Sequence, residues 1–519
     1  MASGADRLCE ALLAHGVDTC FANPGTSEMH FVAALDRRLE MRCILGLSEG
    51  VVTGAADGYA RMAGKPAATL LHCGPGLANG IANLHNARRA HTPIINVVGD
   101  HASYHLRNDP PLAMDIEGLA RPVSTFVRRI EGPGAIEAAV AEGYAAAVGR
   151  RGVATLVLPG DAAWNEAPPA SWAIGRPPPA AMPDERTIAA AADALRSGRR
   201  CVVLLGGPAL RAKALEHASR IARATGASLM AEPSNGRIER RPEHAPLERM
   251  PYALDEVVAR FRDVDVLIVA GAQRPTAFFA YPGKPTFLHD PGALLVELCG
   301  VADELEGGLE ALAEAVAGAG KGEAVPPGRR ALAGDASFDG LLNEAAISHI
   351  VAELLPENAI VVDESITCCR GFFALSDRSV PHDYLQLTGG AIGIGIPLSA
   401  GAAVASPGRK VITLQADGSA MYTTQGLWTQ AREQLDVVTI LLSNRAYAIL
   451  EGEMQRVGAA PARRNARRML RLDDPGIDWV SMARAHGVDG RRATTVAAFR
   501  SAFADALSRP GPVLIEAVL

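Results

Sequence analysis

Asp417-Gly418-Ser419 and Asn444 are the residues of this chain best suited to hold a hard cation beside a polyanion. They follow two apolar runs, 410–414 and 437–442, separated by a helical stretch near 424–434. In a β-α-β unit the two strands are near neighbours, so groups at their carboxyl ends come together. One carboxylate and one amide oxygen make a sparse oxygen site for Mg²⁺, an ion that keeps phosphate oxygens and water among its ligands. Gly418 and Ser419 offer backbone N–H groups to a diphosphate at the turn. An Asp-Gly pair with a later Asn recurs by chance, so the pattern needs support from elsewhere in the chain.

Near the N-terminus four apolar runs each end in a group able to do chemistry. Run 19–22 leads into Asn23-Pro24-Gly25-Thr26, run 43–47 into Ser48-Glu49, run 67–71 into His72-Cys73-Gly74-Pro75-Gly76, and run 94–98 into Gly99-Asp100-His101. Ligands of open parallel sheets bind beyond the carboxyl ends of the strands. A hydroxyl, a carboxylate and two imidazoles along one such edge suit proton transfer, since imidazole titrates near neutral pH. Each residue alone reads as structural; the coincidence at four ends points to the rim of an active site.

The elements that must position these groups divide into three blocks. Residues 166–185 (EAPPASWAIGRPPPAAMPDE) are proline-rich and 317–336 (AGAGKGEAVPPGRRALAGDA) are rich in Gly, Pro and charge. Neither shows helical or alternating periodicity, so both read as linkers. They leave 1–165, 186–316 and 340–519, each of ordinary domain size. All three alternate short apolar runs with helical patterns, among them 49–62 and 78–90. The middle block adds the runs 201–205, 228–231 and 264–269, and the last block 359–362 and 513–517. This alternation predicts three doubly wound parallel-sheet α/β domains.

Composition narrows the class. In 519 residues, 48% hydrophobic and 21% charged content predicts large buried cores, and a net charge of −6 with scattered basic residues gives no nucleic-acid footprint. The eight cysteines contain no C-x-x-C pair, which fits buried thiols in a reducing compartment. The N-terminus has no apolar signal core. The uncharged stretch 384–408 is long enough to span a membrane, but its glycines and Pro397 favour a turn feeding a buried helix. The expectation is a soluble, cytoplasmic protein that binds neither membrane nor nucleic acid.

Taken together, Asp417-Gly418-Ser419 with Asn444, and Glu49 leading into Ala55-Ala56-Asp57-Gly58-Tyr59-Ala60-Arg61, resemble the thiamine-diphosphate enzymes of the acetolactate synthase, pyruvate decarboxylase and benzoylformate decarboxylase group. Asn23-Pro24-Gly25-Thr26 and Leu71-His72-Cys73-Gly74-Pro75-Gly76 look most like benzoylformate decarboxylase. The resemblance is collinear over nearly the whole chain and weakest in the middle block. It implies a pyrimidine-binding domain (1–165), a Rossmann-like middle domain (186–316) and a diphosphate- and Mg²⁺-binding domain (340–519). It further implies a homodimer with shared active sites, commonly paired into a homotetramer. By the match, Asp417, Asn444 and the Ala446 carbonyl hold Mg²⁺. Asn23, Pro24, Gly25, Ser365, Thr367, Gly390, Gly418, Ser419 and Tyr447 surround thiamine diphosphate, and Ile392 supports its bend. Glu49 activates the cofactor; the resulting ylide attacks a 2-oxo acid, and loss of CO₂ leaves an enamine. Protonation then releases an aldehyde, whereas attack on an aldehyde or a second 2-oxo acid gives a hydroxyketone or an acetohydroxy acid.

Thr26, His72, Phe278 and Leu450 are the substrate-side residues that the resemblance implies, with His72 moving protons. Phe278 stands where the decarboxylase has a second catalytic histidine, and a phenyl ring relays no proton; His101, with His105 nearby, is the expected substitute. Ala416 and Ser443 depart from the metal motif without removing a ligand. Glu451 and Glu453 disfavour a bulky aromatic acid if they face the pocket; a solvated helix surface is their other reading. The missing histidine favours acetolactate synthase-type carboligation as the alternative activity, ahead of a 2-hydroxyacyl-CoA lyase or a non-catalytic homologue. Some acetolactate synthases bind FAD, but Leu205-Gly206-Gly207-Pro208 is too generic to assign it.

Overall fold

The computed structural model describes residues 2–519 apart from 172, 173, 318–331, 333–337 and 460. Nearly all of the stretch 317–336 thus falls outside the described residues. The first sheet comprises β1 (Thr19–Asn23), β2 (Arg42–Leu45), β3 (Ala67–Leu71), β4 (Ile94–Asp100), β5 (Phe126–Arg129) and β6 (Val153–Pro159). Its order is β2-β1-β3-β4-β6-β5, with every pair parallel.

Six strands follow in the middle of the chain: β7 (Cys201–Leu205), β8 (Ser228–Ala231), β9 (Ile238–Arg240), β10 (Leu247–Arg249), β11 (Val266–Ala270) and β12 (Leu294–Cys299). Five of them form a parallel sheet in the order β10-β8-β7-β11-β12. The last sheet contains β13 (Ile360–Glu364), β14 (His382–Gln386), β15 (Val411–Ala416), β16 (Val437–Ser443), β17 (Asp489–Ala493) and β18 (Val513–Val518). Its order is β17-β18-β16-β15-β13-β14-β9, and β9 crosses from the middle segment to pair antiparallel with β14. The architecture is α/β with three mainly parallel sheets, as the alternating pattern predicts.

Strands written in polar residues escape the hydrophobic pattern. β14 reads His-Asp-Tyr-Leu-Gln yet is buried throughout. Two of its polar side chains are partnered from outside the strand: Asp383 pairs with Arg237 and Arg409, and Gln386 Nε2 donates to the Pro233 carbonyl at 2.5 Å. β5 and β17 are edge strands with charged residues, and they escape detection for a similar reason. The helix expected over 78–90 begins earlier, at Cys73, because Pro75 falls in its first turn, where no N–H is needed.

Glycine spacing brings the two ends of the chain together. Gly50, Gly54 and Gly58 recur every four residues on helix Glu49–Ala63, which packs on helix Gly395–Ala405. A Cβ on Gly58 would lie 2.0 Å from the Leu398 carbonyl oxygen, and one on Gly401 would lie 1.8 Å from that of Ala55. The backbones touch, so neither site tolerates a side chain. From the same helix Arg61 makes a buried ion pair with Asp57 and donates to the carbonyls of Gly236 (3.2 Å) and Gln386 (2.8 Å). One guanidinium thereby ties all three segments, with the donors that a buried charge requires satisfied. The stretch 384–408 forms β14, a glycine-rich turn and a buried helix; no described helix is long and apolar enough to cross a membrane.

The described residues of 166–184 lack helix and strand apart from a bridge between Glu166 and Ser3, but they are not free. Ser171 N–H donates to Glu137 Oε2 at 2.9 Å, and Gly175 N–H to His15 Nε2 at 2.8 Å. This segment is laid back over the first sheet's helices.

Candidate active site

At the edge of the first sheet, the loop after β1 and the loop after β3 meet. His72 precedes helix Cys73–Arg89, and its Nδ1 donates to Glu28 Oε2 at 2.8 Å and lies 3.2 Å from Ser27 Oγ. Glu28 is buried, while the His72 side chain keeps 23% of its surface open. A Cβ on Gly25 would fall 2.2 Å from the imidazole, so only glycine lets the first loop pass under the ring. The loop is locked from below, since Gly25 N–H donates to Glu28 Oε2 at 2.7 Å. Cys73 follows with φ +50°, a conformation strained for a side-chain-bearing residue. Its thiol lies 3.1 Å from Ser27 Oγ, and burial with the nearby Glu28 and Asp100 charges pushes it up to about 11.

Glu49 opens helix Glu49–Ala63, with Ser48 as N-cap. Its carboxylate is half-buried, accepts from Asn79 Nδ2 at 3.2 Å and sits over Gly76, where a Cβ would lie 3.0 Å from Oε1. The helix start favours a negative charge there. His101 follows β4 with its backbone N–H donating to Asp100 Oδ1 at 2.7 Å. Its ring lies 6.0 Å from that of His105, and Nε2 is buried with no hydrogen-bond partner among the described residues. Because Leu71 pairs with Val98, His72 and His101 stand on adjacent strand ends.

The third sheet's edge is built differently. Ala416 pairs with Leu442, so Asp417 and Asn444 emerge side by side, as the β-α-β reading requires. Asp417 is 2% exposed; its oxygens accept N–H groups from Gly418 (2.8 Å) and Arg445 (2.6 Å). No Lys or Arg pairs with it among the described residues, and burial raises its pKa. Asn444 Oδ1 accepts from Ala446 N–H at 3.0 Å. Tyr447 lies across Gly418, where a Cβ would be 2.5 Å from the ring. Ser365 and Thr367 follow β13 in a loop that carries Ile366 at φ +57°. A β-branched residue in that region costs roughly 1–3 kcal/mol.

Beneath this edge lies Glu364, fully buried at the end of β13. It accepts N–H groups of Gly393 (2.6 Å), Ile394 (3.3 Å) and Gly395 (2.7 Å) and the Gln415 amide (2.9 Å). Gln415 also donates to Ser419 Oγ at 2.7 Å. One carboxylate therefore fixes the turn that carries Gly390 and Ile392 relative to the turn that carries Ser419. Burial raises its pKa, and the four donors act in the opposite direction.

Two stretches of the chain match family descriptions. Residues 2–119 match the N-terminal TPP binding domain of thiamine pyrophosphate enzymes, and residues 365–517 match the C-terminal TPP binding domain. The chain is 46% identical to a Mycobacterium tuberculosis protein named "Putative acetolactate synthase large subunit IlvX", covering 100% of this chain and 99% of that relative. The chain belongs to the thiamine pyrophosphate enzyme family. It is 29% identical to benzoylformate decarboxylase of Pseudomonas aeruginosa over 98% of this chain and 97% of that protein. The solved thiamine diphosphate-dependent 4-hydroxybenzoylformate decarboxylase of Rhodococcus jostii superposes with a TM-score of 0.86 at 27% identity, covering 100% of this chain and 99% of that one.

Within this thiamine pyrophosphate enzyme, Phe278 is brought to the turn at Gly390: its Cζ lies 3.0 Å from where a Cβ of Gly390 would sit, and Gly390 has φ +76°. Phe278 stays 57% exposed, with Tyr252 tilted against its ring and Phe279 meeting it edge-on. Leu450 is also exposed, on helix Ala448–Arg456. The two glutamates of that helix are engaged. Glu451 pairs with Arg471 at 3.0 Å; Glu453 pairs with Arg456 at 3.0 Å and accepts from the Tyr281 hydroxyl. Neither is left as a free carboxylate. In the middle sheet, Glu232 fills the crevice beside Gly206, where a Cβ would meet Oε1 at 2.4 Å.

Sequence reasoning missed Ser27, Glu28, Glu364 and Gln415. The exposed Thr26 looked like the useful hydroxyl, but Ser27 is the one that reaches His72. A signal existed for Glu364, because Asp363-Glu364 places two carboxylates at the end of an apolar strand. Glu28 had only its spacing, three residues after Gly25.

Proposed function

We propose that this chain is a Mg²⁺- and thiamine-diphosphate-dependent 2-oxo-acid decarboxylase and carboligase. The observation that carries the reading is Asp417, a buried carboxylate without a cationic side-chain partner among the described residues, beside Asn444 in the C-terminal TPP binding region. That donor set fits a small hard cation completed by phosphate oxygens and water. Asp417, Asn444 and the Ala446 carbonyl would hold Mg²⁺; Ser365, Thr367, Gly418 and Ser419 would surround the diphosphate, with Asn23, Pro24, Gly25, Gly390 and Tyr447 lining the rest. When bound, the cofactor supplies the electron sink that makes loss of CO₂ from a 2-oxo acid feasible.

The chain's own groups divide the remaining work. Glu49, oriented by Asn79, would hydrogen-bond the pyrimidine ring. Ile392, on the turn fixed by Glu364, would pack against the bound cofactor. His72, oriented by Glu28 and open on one side, moves the proton on the substrate oxygen, with Thr26 beside the substrate carboxylate. His101, whose Nε2 is buried and unpartnered, supplies the proton donor that Phe278 cannot. Phe278 and Leu450 line the substrate side. A homodimer with shared sites is part of the reading, supported by exposed Leu47, Met421 and Tyr422 next to the two edges.

Acetolactate synthase-type carboligation is the second reading, favoured by Phe278 in place of a histidine and by the 46% identical relative. The test is CO₂ release and product analysis with Mg²⁺ and thiamine diphosphate, using pyruvate, 2-oxobutyrate, branched 2-oxo acids and benzoylformate, with and without an aldehyde. Free aldehyde supports decarboxylation; acetolactate or a hydroxyketone supports ligation. Tight cofactor binding with no release from any acid would overturn both.

A further inference from the structure

We propose that Glu28, His72 and Cys73 form a binding site for one soft divalent cation, with Zn²⁺ the best chemical fit, and that its occupation takes His72 out of proton transfer. The second half rests on the role assigned to His72 above; the binding does not. Carboxylate oxygen, imidazole nitrogen and thiolate sulfur are the donors that Zn²⁺ takes. Here one such atom from each residue lies within 4.8 Å of the other two, and this is the one place among the described residues where three such groups converge. Ser27 Oγ, 3.1 Å from Cys73 Sγ and 3.2 Å from His72 Nδ1, leaves a neutral oxygen or a water to complete four-coordination.

Three features show that the convergence is built rather than incidental. Gly25 is forced by the ring that it underlies, and Cys73 is held at φ +50°. Glu28 is 2% exposed and has no Lys or Arg partner among the described residues, so a dication offsets a buried charge. His72 is partly open, which gives the ion its way in. Binding replaces the Cys73 thiol proton and moves the His72 ring proton from Nδ1 to Nε2: Zn–S and Zn–N bonds form, and one proton leaves to solvent. Mg²⁺ prefers oxygen and does not take the thiolate, which keeps this site chemically apart from Asp417 and Asn444.

The probe is Co²⁺, titrated into the protein saturated with Mg²⁺ and thiamine diphosphate. A thiolate-to-cobalt charge-transfer band should saturate at a single equivalent and be displaced by Zn²⁺, with turnover lost in step. Cys73→Ser should abolish the band and weaken Zn²⁺ inhibition by at least roughly the 10- to 100-fold that a lost outer-shell partner costs. Cys73→Ala gives the same readout should the serine variant fold poorly, and Cys43→Ser, at the exposed cysteine, should leave the band intact. Absence of the band, or its survival in Cys73→Ser, overturns the proposal. A Cys73-dependent band with undiminished turnover keeps the metal site and removes His72 from the catalytic assignment. The band is readable even if no 2-oxo acid is turned over, so the metal site is judged separately from the proposed reaction.

Discussion

At the edge of the first sheet the buried carboxylate of Glu28 lies 2.8 Å from an imidazole that is partly open to solvent, whereas at the edge of the third sheet Glu364 and Asp417 are bound by backbone N–H groups. Both edges use the carboxyl ends of parallel strands and both bury negative charge. Backbone N–H groups serve both edges, Gly25 at Glu28 included, but only Glu28 also has a titratable partner. A side chain that can gain or lose a proton sits on Glu28, so that edge is suited to moving protons. Fixed dipoles hold Glu364 and Asp417, so that edge keeps its shape. On the proposed reading, substitutions at the first edge should change turnover at constant cofactor affinity, and those at the third edge should change cofactor affinity first.

The largest expected effect is that of Glu49→Gln, which keeps the shape and removes the charge. Turnover should fall by roughly 10²- to 10⁴-fold, the usual worth of a positioned acid or base, with thiamine diphosphate affinity nearly unchanged. Steady-state kinetics beside calorimetric cofactor titration would check this, and unchanged activity would remove Glu49 from the chemistry. Asp417→Ala should act in the opposite sense, weakening Mg²⁺ and cofactor binding together by about 10- to 100-fold or more. Full affinity for both in that variant would break the contrast between the edges.

Glu28→Gln is the milder test of the first edge. The ring keeps a hydrogen-bond partner but loses the adjacent charge, so kcat should drop by about tenfold or more. Cofactor affinity should not move; a parallel loss of affinity would mean that Glu28 supports the fold rather than His72.

The smallest effect is one of pH. Burial raises the Asp417 pKa, so without a cation the folded chain binds that proton more tightly than the unfolded chain does. Its contribution to stability is then fully present below the ordinary carboxylate pKa and lost as pH rises through the raised value. Mg²⁺ with thiamine diphosphate competes with the proton, and a ligand at a hundredfold excess over its Kd adds about 2.7 kcal/mol. The gain in Tm on adding them should therefore grow from acid to neutral pH in the wild-type chain and stay flat in Asp417→Asn. An equal gain at every pH would exclude Asp417 as the cation's ligand.

The fold was largely legible because apolar strands alternate with helices, and that pattern is written in the order of residue types along the chain. β1, β3 and β7 stand out as apolar runs, while β14 does not, because its Asp383 and Gln386 are paired by Arg237, Arg409 and the Pro233 carbonyl from distant segments. Strand ends were legible for the same reason, and with them Glu49, His72, Asp417 and Asn444 as candidates. The partners of Glu451 and Glu453, Arg471, Arg456 and Tyr281, lie too far along the chain or in another segment for spacing to reveal all of them.

By itself, the sequence determined which chemical groups stand at the ends of which strands, and that the glycines at 50, 54 and 58 share one helix face. Those are consequences of local periodicity. Only the tertiary structure decided that Ser27 rather than Thr26 reaches His72, that Glu28 is buried beneath it, and that Glu364 joins the Ile392 turn to Ser419 through Gln415. These depend on loops from different strands converging to within 3.5 Å, a distance that no spacing along the chain encodes.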